Sequence, residues 1–488
     1  MGDSPSKPPE SRHKTDVRPQ SSSQASHIKT KAEYQAKEVT PEIAFYLPEY
    51  AKDTRLLKCV VLGGGNRGQE YATYSADFPH LVRIVAIADP RPHVRKLFGR
   101  KYGIPDDMQF KDWSDIVALD KIADFVCICT PDRLHRDPAV AFARKKYHIL
   151  LEKPMATTKQ DCIAIVKECK ENKVMLTVCH VLRYYPPNKK IKELIDSGTI
   201  GDVVNIQHLE PIGNWHFAHS YVRGNWGNTA GSSFSLLAKS CHDIDLISSW
   251  MSQQKGSGDK ASCECTGVSS FGSLIHFKKE NKPEGAGDRC FECSVEKSCP
   301  YSVSKIYLDR AKHGNWGWPV SIVTDVEDIA VLTDRLQNGP YGRCVYECDN
   351  DVCDNQVVNF QFSGGQTASF TMVAYTESIC SRKTKVFGTK GEISYVGGSH
   401  VKHYDFLTRN TKEYHCTAGL GEMTRMRGHS GADFHLMDAF VRAVMYNDPS
   451  YIRSGPDETL KSHMLVFAAE ESRLKGETLK VSSDGNWS

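Results

Sequence analysis

Apolar runs and polar, helix-length stretches alternate along residues 57–181. The runs at 57–63, 82–88, 123–130, 147–151 and 174–181 predict strands, and the stretches near 67–77, 91–102, 133–146 and 158–172 predict helices. Such alternation implies an α/β domain with a mostly parallel sheet covered on both faces. After Pro186-Pro187 the pattern changes. A helix over 188–197 leads through Gly198-Thr199-Ile200-Gly201-Asp202 into a strand at 203–208, and 233–251 reads as helical. Further strands are predicted at 357–362, 367–375, 383–387, 392–396 and 401–407, and two helices at 433–447 and 457–474 close the pattern. A sheet with helices on one side fits this half, an α+β domain.

Composition adds the boundaries. Residues 1 to about 40 are rich in Ser, Pro, Lys and Gln and cannot bury enough apolar surface to offset their ordering entropy. The chain therefore divides into a mostly disordered tail over 1–54, a dinucleotide-binding domain over 55–181, and a second domain over 182–488. The stretch at about 253–300, with Gly, Ser, Lys and clustered Cys, reads as an insertion in that second domain. A formal charge of +3 and the absence of a basic stripe interleaved with aromatics argue against nucleic acid as a partner. No apolar run reaches about 18 residues, so no membrane partner is expected, and Met1-Gly2-Asp3-Ser4-Pro5 carries no secretory signal. Most of the 17 cysteines sit in apolar runs, the habit of reduced thiols in a cytoplasmic core.

The candidate chemistry starts at Gly63-x-Gly65-x-x-Gly68, between the first strand and the first helix. The first glycine permits a tight turn, the second admits a pyrophosphate against the backbone, and the third lets the helix pack on the strand. The helix N-terminus then faces the anion, with Asn66 and Arg67 in the same turn. Asp89, at the end of the second strand, stands where a ribose 2′-hydroxyl is bound, which favours NAD. Arg91 could hold a 2′-phosphate and keeps NADP open. Thr130-Pro131-Asp132 follows the third strand at the crevice and also reads as a turn and helix cap. His135 reads as a wall of the cofactor pocket.

These motifs, followed by Glu152-Lys153-Pro154 and Cys241-His242-Asp243-Ile244-Asp245, resemble the glucose-fructose oxidoreductase/inositol dehydrogenase/rhizopine catabolism (Gfo/Idh/MocA) family in their order. Phe387-Gly388-Thr389-Lys390-Gly391-Glu392-Ile393 looks like that family's second-domain strand–turn–strand, so the likeness runs over about residues 56 to 475. It implies a Rossmann domain followed by an open-faced-sheet domain, and NAD(P)-dependent oxidation or reduction of a sugar, cyclitol or related polyol. Stretch 214–226 looks like a bacterial-type branch, to which these motifs attach no substrate.

The resemblance implies roles residue by residue. Lys153 polarises the reacting oxygen, Glu152 orients Lys153 and the nicotinamide ribose, and a cis peptide precedes Pro154. His242 stands at the catalytic histidine, able to exchange a proton near neutrality. The family's aspartate four residues earlier is here Ala238. Asp245 could replace it as orienter, while Lys239 would depress the histidine or hold an anionic substrate. His180 falls beside the nicotinamide and Arg183 beside the substrate. Trp215, His219, Arg223 and Trp226 form an aromatic-polar loop that reads equally as a sugar platform or as lid packing.

Three alternatives stay open at this level. One is cleavage of a glycoside by transient oxidation and elimination with NAD regenerated. Another is a dinucleotide-binding regulator, such as the fungal galactose-pathway repressor of this fold. The third concerns Cys290, Cys293, Cys299, Cys344 and Cys348: four thiolates could close a zinc site, yet the spacing is not a pair of clean knuckles, and no metal is assigned. An open sheet face in the second domain would invite a second copy of the chain.

Overall fold

A computed structural model describes residues 55–252, 263–482 and 485–488. The expected tail over 1–54 and the first part of the expected insertion lie outside the described residues. Six strands form a parallel sheet in the order β3-β2-β1-β4-β5-β6: β1 Leu57–Leu62, β2 Val82–Ala88, β3 Gln109–Phe110, β4 Phe125–Ile128, β5 His148–Leu151 and β6 Leu176–Val178. Every residue of β4 is buried, as expected for a central strand covered on both faces. Helices α1 Asn66–Asp77, α2 Pro92–Tyr102, α3 Trp113–Ala118, α4 Arg136–Arg144 and α5 Lys159–Glu171 make the crossovers. Local chemistry sets their ends. Asp112 and Thr158 cap α3 and α5 through Ser114 N and Asp161 N, and Gly103 closes α2 in the left-handed conformation. In this domain only β3 and α3 escaped the sequence pattern, being short.

Beyond α6 (Pro186–Asp196) lies a nine-stranded sheet in the order β14-β13-β12-β11-β7-β10-β9-β8-β15. Its strands are β7 Val203–Pro211, β8 Cys265–Ser273, β9 Asn355–Phe362, β10 Thr367–Val373, β11 Lys383–Gly388, β12 Gly391–Tyr395, β13 His400–Asp405, β14 Thr411–His415 and β15 Leu479–Lys480. β7 and β10 are parallel, and the other pairs are antiparallel. The expected insertion is displaced: β8 is a sheet strand, and the excursion runs from 274 to 354 between the paired strands β8 and β9. This lobe has a small core of its own, including Val303, Ile306, Tyr307, Leu332 and Leu336, and carries α8 (Ile329–Asn338).

The expected helix over 233–251 is broken after Ala238, and α7 begins at Cys241 and runs to Met251. The C-terminal helices α9 (Ala432–Tyr446) and α10 (Pro456–Lys475) do more than close the second domain. Phe440 of α9 packs edge-on against Phe125 of β4 at 5.3 Å. Val178 of β6 donates its N–H to Ser454 O at 3.1 Å. The second half of the chain thus returns to cover the first sheet.

Candidate active site

The glycine turn has the geometry its spacing requires. Gly63 has φ +89°, and a Cβ there would lie 2.5 Å from Cys129 O. A Cβ on Gly68 would fall 2.0 Å from Gly63 O, so helix and turn touch. Gly65, by contrast, has only Arg91 Nη2 near its Cβ direction, at 3.7 Å. No side chain caps α1 and no acidic residue occupies its first turn, which leaves N–H groups for an anion. Asn66 is exposed at the start of that helix.

Asp89 is buried and fully engaged. Its Oδ1 accepts from Arg91 N at 3.0 Å and Arg91 Nε at 2.9 Å, and its Oδ2 from Gly64 N and Arg91 Nη2 at 2.9 and 2.8 Å. Burial pushes this carboxyl up, but the bonds from Arg91 outweigh it and leave the group below the usual carboxylate range. A carboxylate offers about four acceptor positions, so a ribose hydroxyl would compete with Arg91.

Arg67 points away from the glycine turn. Its Nε donates to Glu152 Oε1 at 2.6 Å, and its two terminal nitrogens grip Asp433 of α9 at 3.0 and 2.8 Å. Its expected place among the phosphate-binding groups is therefore corrected to a clamp between α1, Glu152 and α9. Tyr71 OH also donates to Glu152 Oε1, at 2.8 Å. Glu152 Oε2 accepts Lys153 N at 2.9 Å, which leaves the lysine side chain free to extend. The Lys153–Pro154 peptide is cis. Lys153 Nζ donates to Ala238 O at 2.6 Å and lies 5.9 Å from the ring of Trp226. His135 is buried between Pro154 O at 2.8 Å and Thr130 O at 2.9 Å, so it ties the Thr130-Pro131 turn to the cis-proline turn.

Four histidines converge behind Lys153. His180 meets His242 edge-on at 5.5 Å and His463 at 5.4 Å, and His429 lies 6.2 Å from His242. Both ring nitrogens of His180 and Nδ1 of His242 are buried without a hydrogen-bond partner. Burial, opposed in part by Asp245, pushes His180 down to about 4. Burial and then Lys153 hold His242 well below the ordinary histidine range, so its ring is neutral at neutral pH.

Residues 57–180 match the model of an oxidoreductase family, described as GFO_IDH_MocA with an NAD-binding Rossmann fold. The match to the Gfo/Idh/MocA family model covers the Rossmann domain. The oxidoreductase YteT of Bacillus subtilis is 25% identical over 283 residues, 55% of this chain and 59% of that one. The 2,7-anhydro-N-acetylneuraminate hydratase of Escherichia coli is 28% identical over 189 residues, 38% of this chain and 47% of that one. The matched stretches thus span less than two thirds of either relative. Among solved structures, levoglucosan dehydrogenase with NADH and levoglucosan superposes with a TM-score of 0.62 at 17% identity, over 87% of this chain and 99% of that one. An oxidoreductase from Agrobacterium radiobacter gives 0.60 at 17%, over 87% and 98%. These structures share the fold.

Several residues that the Gfo/Idh/MocA resemblance assigned to the substrate are engaged elsewhere. Asp245 does not orient His242: it forms a two-point pair with Arg183 at 2.6 and 2.7 Å and accepts Ser462 Oγ at 2.8 Å. Arg183 is spent in the same pair. Lys239 lies against Glu210 at 3.2 Å and Cys380 Sγ at 2.9 Å, so its charge is compensated locally and is not among the main influences on His242. His219 bonds Tyr307 at 2.9 Å and stacks on Tyr341, Trp215 packs on Trp318 and Arg310, and Arg223 reaches Cys290 and Arg343 O. All three are lobe packing. Trp226 is the member of that loop beside Lys153, and its Nε1 donates to Asp132 across to the first domain at 3.1 Å.

Sequence reasoning missed His429 and His463. His429 and Ser430 both have positive φ, 48° and 56°, ahead of Gly431, and His429 Nδ1 lies 3.1 Å from Asp433 Oδ1. The glycines flanking His429-Ser430 just before a helix were the available signal. His463 sits inside α10 with none.

Proposed function

We propose that this chain catalyses NAD-dependent hydride transfer at a carbinol carbon of a sugar, cyclitol or related polyol. The observation that carries this reading is the juxtaposition at the crevice. A lysine ammonium held by a backbone carbonyl stands beside neutral histidines, whose buried nitrogens have no protein partner. Buried polar atoms without partners are rare unless a ligand completes them. The open Gly65, the uncapped α1 and Asp89 fit NAD. When bound there, NAD supplies hydride acceptance or donation at its nicotinamide ring.

The chain's own residues do the rest. Glu152 fixes the Lys153 backbone, and Lys153 Nζ stabilises negative charge on the substrate oxygen as it develops. His242, neutral, takes the hydroxyl proton during oxidation. Relatives called inositol 2-dehydrogenase and levoglucosan dehydrogenase support the substrate class. Pairing of two copies through the outer face of the nine-stranded sheet belongs to the same proposal, and sedimentation would test it.

A second reading has one observation in its favour, the relative called a hydratase. There the same lysine and histidine would assist a transient oxidation of the substrate for which bound NAD would be the electron acceptor, with no net change in the cofactor. Lys153→Met should leave NADH binding within a few-fold and abolish turnover; unchanged turnover would remove Lys153 from the mechanism. Product formed with and without a rise in NADH absorbance separates the two readings.

A further inference from the structure

The lobe between β8 and β9 touches both the substrate side and the cofactor side of the crevice. Trp318 packs on Trp215 at 5.0 Å, on His216 at 4.8 Å and on His219 at 5.6 Å, all in the loop that leads to Trp226 beside Lys153. A little further along the lobe, Asp325 meets the first domain, its Oδ2 lying 2.7 Å from Nε2 of His93. His93 is in the first turn of α2, just after Asp89 and Arg91. The stretch from Trp318 to Asp325 therefore runs from the substrate loop to the corner that receives the ribose 2′-hydroxyl of a dinucleotide in this fold.

The basic side chains of that corner are already engaged. Arg91 gives Nε and Nη2 to the two oxygens of Asp89 at 2.9 and 2.8 Å. Arg95 donates Nη1 to Asp89 O at 2.6 Å. His93 faces Asp325. Two carboxylates thus stand against two guanidinium groups, and the remaining imidazole is paired with one of those carboxylates. A phosphate monoester brings a charge of about −1.5 to −2 at pH 7, for which this corner has little to offer.

Asp89 alone would guard the corner poorly, because Arg91 is itself exposed and could swing from Asp89 to an incoming phosphate. Asp325 adds a second negative charge from another direction. Arg91 is held above its ordinary range first by its bonds to Asp89, and the charges of both Asp89 and Asp325 contribute. Asp325 also occupies the imidazole that would otherwise be free to donate to a phosphate.

We propose that Asp325, contributed by the lobe, is a second determinant of cofactor choice and acts with Asp89 to exclude the 2′-phosphate of NADP. The inference rests on the reading of this crevice as an NAD site, and it adds a residue from beyond the stretch 57–180 that matches the family model. Its action is electrostatic and therefore moderate, since the Asp325 side chain is 49% exposed and screened by solvent. For a unit charge and a doubly charged phosphate about 6–8 Å apart in water, Coulomb's law gives roughly a fivefold to tenfold effect on binding.

The test is titration of the full chain with NADH and with NADPH, followed by nicotinamide fluorescence, at ionic strengths of about 0.01 M and about 1 M. The unmodified chain should bind NADH more tightly. At low salt, Asp325→Asn should tighten NADPH binding roughly fivefold while leaving NADH within about twofold, and Asp325→Lys should tighten NADPH further. Both gains should shrink at high salt, which a merely structural effect of the loop would not do. Glu327→Gln removes a charge from the same loop and should change neither affinity. An unchanged affinity ratio in Asp325→Asn, a gain that salt does not reduce, an equal shift in Glu327→Gln, or tighter binding of NADPH by the unmodified chain would overturn this inference and leave hydride transfer standing. Failure of the unmodified chain to bind either dinucleotide would overturn both.

Discussion

Mild acid should destabilise this protein well before its carboxylates titrate, because several histidines are buried as neutral rings. His463 shows why. Its Nδ1 faces Thr459 O at 2.9 Å and its Nε2 faces Met155 N at 2.9 Å. A carbonyl can only accept and an amide N–H can only donate, so the ring must be neutral with its proton on Nδ1. Burial pushes His463 and His219 down to about 3, and His180 to about 4. In the unfolded chain each titrates near 6.5. Below that pH the unfolded chain binds protons that the folded chain refuses, so stability falls as pH falls, until the folded values are reached. At pH 5 each ring has lost about 1.5 pH units of linkage, roughly 2 kcal/mol, or about 6 kcal/mol for the three. That is comparable with a typical total stability of about 5–15 kcal/mol. The carboxylates held low by ion pairs, such as Glu152 and Asp245, lose their contribution only below about pH 4.

The assay is urea unfolding followed by tryptophan fluorescence between pH 7.5 and pH 5. The midpoint should hold down to about pH 6.5 and then drop, with at least three protons taken up on unfolding near pH 5, since His242 is also buried neutral. His463→Gln should remove about one of those protons. At pH 7.5 it should cost about 1–3 kcal/mol wherever the amide fails to satisfy Met155 N–H. A flat midpoint down to pH 5, or an unchanged proton count in His463→Gln, would refute the reasoning.

Arg67→Met leaves Glu152 and Asp433 buried without their guanidinium. Since Arg67 itself is 28% exposed, the expected loss is about 3 kcal/mol, at the lower end for a broken buried pair. Asp433→Asn in that background should recover part of it, and additive effects in a double-mutant cycle would argue against the clamp. Arg91→Ala frees two of the bonds on Asp89, those from the guanidinium, and removes the cation nearest a 2′-phosphate. It should shift preference further to NAD by roughly tenfold in the ratio of dissociation constants, about 1.4 kcal/mol; a shift toward NADP by calorimetry would contradict the competition inferred for Asp89.

The first domain was legible because its strands are buried on both faces: Phe125-Val126-Cys127-Ile128 can hardly be anything else. β8 was not, because Thr266, Gly267, Ser269 and Ser270 make a polar-looking strand inside a Gly- and Ser-rich stretch, and its pairing partner β9 lies some eighty residues away in sequence. β14 is an edge strand with no buried position, so it has no alternation to read. At the site, Glu152-Lys153-Pro154 and His242 were visible as local motifs. The loop 214–226 was ambiguous for a physical reason: the same flat, polar-edged rings stack on a sugar or on Trp318 and Tyr341. His429 and His463 come to the site by tertiary packing of α9 and α10, which no local pattern encodes.

Ala238 is where the chain departs from the acid of the Gfo/Idh/MocA pattern that it resembles, and the structure shows what stands in place of that acid. Lys153 Nζ is held by the Ala238 carbonyl, a contact indifferent to the side chain at 238. His242 is then placed by ring packing between His180 and His429 rather than by a carboxylate. With no carboxylate partner, burial and the Lys153 ammonium govern its proton affinity. A like charge disfavours protonation, so any negative charge arriving at Lys153 must raise the basicity of His242. An alkoxide forming on the substrate oxygen is such a charge, and it would turn a poor base into a better one as the proton is transferred. Lys153→Met should therefore raise the His242 titration midpoint even without substrate, read from nitrogen shifts of the imidazole by NMR. His463, whose neighbours are His180, Thr459 and Asp245, should not move. A His242 midpoint that is unchanged or lower in Lys153→Met would mean that the two groups are not coupled, and the proton route through His242 would have to be abandoned.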